Sequence, residues 1–302
     1  MDDDSLDMHP SQIVFDVYSD QRRFLLMPFI ETNNHTSLYY RDWGTGVPVV
    51  FLSSWAASSP MWEYQMLPLS ESGLRCIAYD RRGHGRSDDP GRGYDFDTLA
   101  DDLAKLLTQL DLREVTLVGH SMGCAEIARY LSRHGTSRIA RAVLMGTTTP
   151  FLLQTPDNLA GVPKHHFEAN TAILLADRQR YFASGMIKFF GLGRSWPAPE
   201  NVSPEVMQWA LRLTDECSPK AILACRRIID ETDFRPDLRA FTIPTLILHG
   251  DNDQSTPLER CGRRTAQAIP HSQLNVYEGA AHGLFLSHKE RVNNDLLAFI
   301  QG

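Results

Sequence analysis

The chain has 302 residues, 42% of them hydrophobic and 22% charged, which is an ordinary composition for a folded globular protein. Its formal net charge is −7 and it has no long run of Lys or Arg, so we expect no nucleic acid among its partners. The sequence opens Met-Asp-Asp-Asp and contains no apolar run near the roughly 20 residues that span a bilayer, so we expect a cytoplasmic protein without membrane contact.

Residues 1–22 are polar and acidic without sustained periodicity, which indicates an N-terminal extension. Runs of β-branched and aromatic residues then predict eight strands, at residues 23–30, 37–43, 48–52, 74–79, 115–118, 140–145, 244–248 and 273–277. The later strands are short, apolar on both faces and separated by helical patterns. This pattern is typical of strands buried in a parallel sheet that helices cover on both sides.

Three helices stand out between and after these strands. The clearest is predicted for residues 96–109, where leucines recur on one face and aspartates lie near the first turn. A second is expected to begin at the turn that contains Ser121 and to end at Gly135. A third is predicted for residues 289–300.

The segment between the sixth and seventh predicted strands contains no convincing strand and is rich in aromatic residues. Structureless loops of that length are rare in compact domains, so we predict a helical lid over residues 149–238. The core then consists of residues 23–148 and 239–302. The aromatic residues of the segment are Phe151, Phe167, Tyr181, Phe182, Phe189, Phe190, Trp196 and Trp209.

The five cysteines are widely spaced and include no Cys-x-x-Cys pair, which favours reduced, mostly buried thiols over disulfides or a zinc site. They are Cys76, Cys124, Cys217, Cys225 and Cys261.

The strongest motif is Gly119-His120-Ser121-Met122-Gly123, which follows the fifth predicted strand and precedes a predicted helix. In this setting Gly-x-Ser-x-Gly is a nucleophile elbow, where glycines let backbone segments come close and a strained turn exposes the serine hydroxyl. We therefore predict that Ser121 is a nucleophile and that the Met122 N–H stabilises the resulting oxyanion. His120 is interpreted as a spacer.

A serine hydroxyl needs a histidine to accept its proton and a carboxylate to orient that histidine. Asp251 and Asp253 follow the seventh predicted strand, and His282 follows the eighth in a loop of small residues. Parallel strands present their carboxyl ends at one edge of a sheet, so we expect these side chains to meet Ser121 there. The residues alone do not choose between the two aspartates.

Further motifs carry a resemblance to a known family. They are Tyr40-Arg-Asp-Trp-Gly44, Tyr79-Asp-Arg-Arg-Gly-His-Gly-Arg-Ser87, Arg129-Tyr-Leu-Ser-Arg-His-Gly135, Glu231-Thr-Asp-Phe234, His249-Gly-Asp-Asn-Asp253 and Asp295-Leu-Leu-Ala-Phe-Ile300. With the serine motif, they make residues 39–302 resemble the cofactor-free (non-haem) haloperoxidases and aryl esterases of the α/β-hydrolase superfamily. The resemblance implies an α/β-hydrolase fold, with a mostly parallel sheet of about eight strands, flanking helices and an inserted helical lid. It implies neither metal nor cofactor, and it selects Asp253 as the acid of a Ser121–Asp253–His282 triad.

The sequence departs from that family in the loop after the third predicted strand, here called the oxyanion loop (residues 53–56). Ser53 and Ser54 replace the family's His-Gly pair, and serine adopts positive φ less freely than glycine, so the loop is expected to be reshaped. Trp55 keeps the family's aromatic position, so its N–H is our second oxyanion donor. The serines either leave the donor geometry intact or add a hydroxyl donor for a particular carbonyl substrate.

Two other motifs receive structural interpretations. In the turn at residues 79–87, Asp80 is expected to pair with a neighbouring arginine and brace the loop beside the nucleophile. Cys124 is expected to pack the helix after Ser121 against the sheet rather than to act as a second nucleophile.

Together these features predict a serine hydrolase that cleaves a small-molecule ester or lactone through an acyl-enzyme on Ser121. They leave open whether it is a monomer or a homo-oligomer. Ala56 stands where haloperoxidase-type members typically carry a proline linked with peracid formation, which favours hydrolysis. The alternatives are a perhydrolase, a carbon–carbon bond hydrolase or cyclising enzyme of a biosynthetic pathway, and a non-catalytic binding protein.

Overall fold

The computed structural model describes residues 28–192 and 202–302. Eight strands form one sheet: β1 Phe29–Glu31, β2 Ser37–Trp43, β3 Val47–Leu52, β4 Leu74–Tyr79, β5 Val115–His120, β6 Ile139–Met145, β7 Thr245–Gly250 and β8 Ser272–Tyr277. All but the first lie within two residues of their predicted bounds. The predicted extension at residues 1–22, and residues 23–27 of the first predicted strand, lie outside the described residues.

The strands are arranged in the order β1-β2-β4-β3-β5-β6-β7-β8. β2 pairs antiparallel with both of its neighbours, and every other pairing is parallel. The mostly parallel sheet of about eight strands that the sequence predicts is therefore confirmed. Because β3 and β5 to β8 all run in one direction, the loops that follow them emerge at the same edge of the sheet.

Helices cover both faces of this sheet. They are α1 Glu63–Glu71, α2 Phe96–Gln109, α3 Met122–His134, α4 Lys164–Ala176, α5 Arg178–Phe189, α6 Pro204–Asp215, α7 Pro219–Glu231, α8 Gly262–Ala268, α9 Leu284–Ser287 and α10 Lys289–Gln301. Leucines of α2 and apolar residues of α3 belong to the core on one face, and residues of α1 and α10 belong to the core on the other.

Local sequence explains which helices could be predicted. α2 has the predicted bounds because leucines recur along its buried face and the Asp95 side chain accepts the Thr98 N–H at 2.8 Å as an N-cap. α1 was not predicted. Pro68 lies within it, and its buried residues, Gln65 among them, do not form a clear apolar stripe.

Helices α4 to α7 lie between β6 and β7, as predicted for this part of the chain. Three of them begin at side-chain caps: Asp177, Ser203 and Ser218 each accept a backbone N–H from the first turn. Among the aromatic residues predicted for this segment, Trp196 lies outside the described residues. The division of the chain into a core and a lid at residues 149–238 stays a prediction.

All five cysteines are buried free thiols, as the sequence predicts. Within the described ranges, no helix has both the length and the apolar character needed to cross a membrane.

Candidate active site

Ser121 occupies the sharp turn between β5 and α3. Its backbone has φ 55° and ψ −112°, a strained conformation for a residue with a side chain. The turn is tight because a Cβ on Gly119 would lie 2.6 Å from the carbonyl carbon of Gly123, and a Cβ on Gly123 would overlap the carbonyl oxygen of Leu52. The motif thus forms the elbow expected from the sequence, and Ser121 lines a cavity.

Asp253 and His282 meet at the carboxyl edge of β7 and β8. The Asp253 Oδ2 lies 2.6 Å from the His282 Nδ1, and both side chains are buried. Asp253 also accepts the backbone N–H groups of Ser255 and Thr256, each at 2.8 Å. Burial raises the pKa of Asp253, but the charge of His282 and the hydrogen bonds outweigh it and lower the pKa to about 2. The carboxylate therefore stays ionised beside the imidazole.

The two candidate aspartates have different partners. Asp251 is exposed and accepts the Gly279 N–H at 2.7 Å, so it stabilises the loop that leads to the histidine. Asp253 is the one in contact with His282. The two aspartates differ in their contacts because the turn after β7 points the Asp251 carboxylate outward and the Asp253 carboxylate inward.

His282 and Ser121 lie at the same cavity but are not joined as Asp253 and His282 are. Both residues line the same cavity, but no hydrogen bond joins the Ser121 hydroxyl to the His282 imidazole in the described structure. Catalytic hydrogen bonds of this kind are often long in free enzymes and tighten when substrate binds. The roles of these residues in a triad stay a proposal.

His120, which was interpreted as a spacer, contacts the loop that carries His282. Its Nε2 donates to the carbonyl oxygen of His282 at 2.9 Å, and the two ring centroids lie 4.7 Å apart. Burial and the neighbouring His282 lower the pKa of His120 to about 3, so the ring stays neutral. The interpretation as a spacer was wrong because only the tertiary structure brings the two loops together.

Thr256 is a further site residue that the sequence did not identify. Its Oγ1 lies 2.9 Å from Asp253 Oδ2, 3.2 Å from the Gly146 carbonyl oxygen and 3.2 Å from His282 Nδ1. Because it contacts both members of the pair, it fixes the carboxylate relative to the imidazole. A threonine three residues after a turn aspartate is a common Asx-turn pattern that could have indicated it.

The oxyanion loop carries its positive φ at an unexpected residue. Ala56 has φ 53°, whereas neither Ser53 nor Ser54 is in the left-handed region. The serines therefore avoid the positive φ that serine adopts less freely than glycine, and the reshaping of the loop relative to the family stays a prediction. Ser54 lines the cavity, but the Ser53 hydroxyl is buried with no hydrogen-bond partner among the described residues. Of the two serines, Ser54 is the one with access to a substrate.

The two predicted oxyanion donors lie at the ends of different elements. Met122 is the first residue of α3, where a backbone N–H has no partner within the helix. Trp55 lies in the loop after β3, and its backbone N–H has no acceptor within the described residues. The role of these two N–H groups as oxyanion donors stays a proposal.

The turn at residues 79–87 differs from its prediction. Asp80 accepts the backbone N–H groups of Ser59 at 2.6 Å and Arg86 at 2.9 Å, and it pairs with no arginine side chain in the part of the chain that the structure describes. The arginines take other partners because carboxylates on α2 and α3 lie closer: Arg82 pairs with Asp102, and Arg81 pairs with Glu126. Asp80 still braces the loop after β3, through backbone donors.

Cys124 makes the packing contacts that were expected of it. Its thiol lies 3.2 Å from the Gly119 carbonyl oxygen, and burial raises its pKa to about 12. A thiol with so high a pKa is not a thiolate near neutral pH. Its position therefore suits packing between α3 and the sheet.

The cavity over Ser121 has a volume of about 760 Å³. Apolar side chains from α4 to α7 form much of its wall, and some exposed residues of α4 and α5 also line it. The wall includes Leu152, Phe167, Tyr181, Phe182, Phe189, Trp209, Leu213 and Phe285. No cluster of three or more His, Cys, Asp or Glu side chains suited to a metal ion occurs within residues 28–192 and 202–302.

The amino-acid sequence of the chain matches a family model and several known proteins. A family model described as the alpha/beta hydrolase fold matches residues 47–289. A non-heme chloroperoxidase from Kitasatospora aureofaciens is 41% identical over 276 residues, which cover 91% of this chain and 99% of the relative. A bifunctional esterase/perhydrolase from Acinetobacter calcoaceticus is 34% identical over 278 residues, which cover 91% of this chain and 100% of the relative.

Solved structures agree with these relatives. A bromoperoxidase from Bacillus anthracis superposes with a TM-score of 0.84 at 40% identity, over 88% of this chain and 96% of that one. An esterase from Exiguobacterium antarcticum gives a TM-score of 0.85 at 32% identity, over 91% of this chain and 99% of that one. The chain therefore belongs to the α/β-hydrolase superfamily and is similar to its non-heme haloperoxidases.

Proposed function

We propose that the protein is a serine hydrolase that cleaves small-molecule carboxylic esters or lactones through an acyl-enzyme on Ser121. The observation that carries this proposal is the buried Asp253–His282 contact, at 2.6 Å, together with the cavity that His282 and the elbow serine both line. The esterase and esterase/perhydrolase relatives support it further.

In the proposed reaction, the Ser121 hydroxyl attacks the substrate carbonyl while His282 accepts its proton. The Trp55 and Met122 N–H groups stabilise the oxyanion, and the intermediate collapses as His282 returns the proton to the leaving alcohol. Water, deprotonated by His282, then attacks the acyl-enzyme and releases the acid. Asp253 orients the imidazole throughout and offsets its positive charge.

We also propose that residues 149–238 act as a lid that supplies the substrate pocket. Its helices contribute most of the aromatic side chains around the cavity, and a concave, largely apolar wall suits the acyl or alcohol part of an ester. An aryl ester or a lactone with a hydrophobic substituent fits this description.

The deciding experiment is the hydrolysis of p-nitrophenyl acetate and butyrate by the wild type and by Ser121→Ala. We expect kcat to fall by a factor on the order of 10⁴ or more in the variant, because the nucleophile is lost. Ser272→Ala is a matched control, because Ser272 begins β8 at the opposite edge of the sheet. Equal rates in wild type and Ser121→Ala would show that Ser121 is not the nucleophile.

The second candidate function is perhydrolysis, in which hydrogen peroxide replaces water on the same acyl-enzyme. The chloroperoxidase and esterase/perhydrolase relatives favour it. A halide-oxidation assay with acetate and peroxide separates the two reactions. A wild type that is inactive on every ester, lactone and peracid substrate would favour carbon–carbon bond hydrolysis, cyclisation or simple ligand binding instead.

A further inference from the structure

Arg81 lies buried beneath the oxyanion loop and contacts its backbone. Its Nη2 donates to the Ser53 carbonyl oxygen at 2.9 Å, and its Nη1 makes a longer contact of 3.4 Å with the Ser54 carbonyl oxygen. The third side of the guanidinium faces α3, where Nε donates to Glu126 Oε2 at 2.8 Å. A single side chain therefore joins two consecutive loop carbonyls to the helix that begins after Ser121.

The Ser54 carbonyl belongs to the same peptide unit as the Trp55 N–H. Because that unit is planar and trans, its C=O and N–H point in opposite directions. A guanidinium held against the carbonyl side therefore sets the direction in which the N–H points. The positive charge on that side also polarises the peptide, which makes the N–H a stronger donor to an oxyanion.

Glu126 holds the Arg81 guanidinium against helix α3. It lies one turn after Met122 on α3, is fully buried, and accepts a second hydrogen bond from the Tyr79 hydroxyl. The same helix carries Ser121 at its N-terminal turn and Met122, the other proposed donor. The Arg81–Glu126 pair thus connects both donor groups through one rigid element.

Stability alone does not account for this pair. Burying two charges carries a large desolvation cost, and a hydrophobic pair of similar volume is often as stable. Hydrophobic side chains could not bind the two loop carbonyls, whereas the planar fork of an arginine can serve all three acceptors at once.

We propose that Arg81 is a positioning residue that holds the Ser54–Trp55 peptide with its N–H directed at the substrate carbonyl on Ser121. This role rests on the proposed ester hydrolysis. It explains how an oxyanion loop with Ser53 and Ser54 in place of His-Gly keeps a usable donor. The Trp55 indole is anchored separately, because its Nε1 donates to the Ile222 carbonyl oxygen at 2.9 Å.

The test compares Arg81→Lys with Arg82→Lys. Both arginines are buried and paired with a carboxylate, but Arg82 binds Asp102 and does not contact the oxyanion loop. Lysine retains the charge, but its compact ammonium cannot reach the three acceptors that lie around the planar guanidinium of Arg81. We expect Arg81→Lys to lower kcat for p-nitrophenyl butyrate by about 10- to 100-fold with KM changed less than about threefold, as for a weakened oxyanion donor.

We expect Arg81→Lys and Arg82→Lys to lower the melting temperature by similar amounts. Arg82→Lys should change kcat less than about threefold, because it leaves the oxyanion loop in place. A second readout is the rate at which a fluorophosphonate labels the serine, a reaction that also builds negative charge in the oxyanion site but needs no natural substrate. Arg81→Lys should be labelled about 10-fold more slowly than Arg82→Lys.

Equal kcat and equal labelling rates in the two variants would overturn the role of Arg81, as would a KM increase without a fall in kcat. Ser121→Ala is included in the same series. A wild type that neither hydrolyses esters nor is labelled at Ser121 overturns the proposed function, and the role of Arg81 with it. Labelling of the wild type with equal rates in the two arginine variants overturns only the role of Arg81.

If Arg81→Lys does not fold, Tyr79→Phe provides the test. It removes the hydroxyl that holds Glu126 and should lower kcat by about two- to tenfold at nearly constant KM. Tyr94→Phe is its control, because that buried tyrosine binds Asp89 on the far side of the turn. Equal kcat in the two tyrosine variants would count against the proposal.

Discussion

The loop that carries His282 and the oxyanion loop face the same cavity but are held in place by different means. Around His282, Asp253 and Thr256 form short contacts, and His120 binds the His282 backbone. The oxyanion loop contains Ser53 and Ser54 and lies against a buried arginine from a neighbouring turn. A single site can thus hold its acid–base pair through short contacts at one sheet edge and its oxyanion loop through one buried side chain.

The largest expected effect concerns the acid. Asp253→Asn should lower kcat for ester hydrolysis by a factor on the order of 10⁴, because the amide stabilises the wrong tautomer of His282 and cannot offset its charge. Asp251→Asn should change kcat less than about threefold, since Asp251 binds only the loop backbone at Gly279. Steady-state kinetics of the two variants decide the assignment, and the reverse ranking would make Asp251 the acid.

The next effect lies in the oxyanion loop. Proline cannot adopt the φ of 53° found at Ala56, so Ala56→Pro should destabilise the protein by about 3 kcal/mol and should not increase halide oxidation. Ala56→Gly, which relieves the left-handed backbone, should raise the free energy of unfolding by about 1 kcal/mol. Urea unfolding measures both changes. A stable Ala56→Pro variant with gained perhydrolase activity would contradict the loop geometry.

A smaller effect is the pH dependence of stability that His120 gives to the region around His282. The pKa of His120 is about 3 in the folded protein against 6.5 as its ordinary value, so the unfolded state takes up a proton first as the pH falls. Stability contributed by neutral His120 is therefore complete above pH 6.5 and is lost between pH 6.5 and 3. From pH 7 to pH 5 the loss amounts to about 2 kcal/mol.

His120→Phe should remove that part of the pH dependence, at the cost of about 1–3 kcal/mol at pH 7 for the unpaired carbonyl of His282. His84, whose pKa burial and Arg81 also lower to about 3, remains as an internal control for the residual slope. Urea unfolding at pH 7 and pH 5 measures the difference. An unchanged slope in His120→Phe would show that His120 is not the titrating group.

The smallest effect distinguishes the two serines. Ser53→Ala should raise the free energy of unfolding by up to about 1 kcal/mol, because the lost hydroxyl is buried without a partner. Ser54→Ala should change kcat less than about threefold if Arg81 alone directs the Trp55 N–H. A fall in kcat beyond about 10-fold in Ser54→Ala would instead support a hydroxyl that binds the substrate carbonyl.

Local sequence was sufficient for the elements whose patterns are strong. The bounds of α2 follow from its leucine periodicity and its aspartate cap, and the elbow follows from glycines that no larger residue could replace. α1 was missed because Pro68 and an irregular buried face hide its helical pattern. The division into core and lid, the oligomeric state and the cytoplasmic location stay predictions.

The parallel sheet, the serine elbow and the loops that bear aspartate and histidine could all be predicted from the amino-acid sequence, because each depends on residues adjacent in the chain. The fold places Asp253 against His282, as the family resemblance implied, and it alone reveals that His120 binds the His282 backbone and that Arg81 contacts the oxyanion loop. These contacts join residues 27 to 162 positions apart. Hydrogen bonds across such separations depend on how strands and helices pack, which local patterns do not encode.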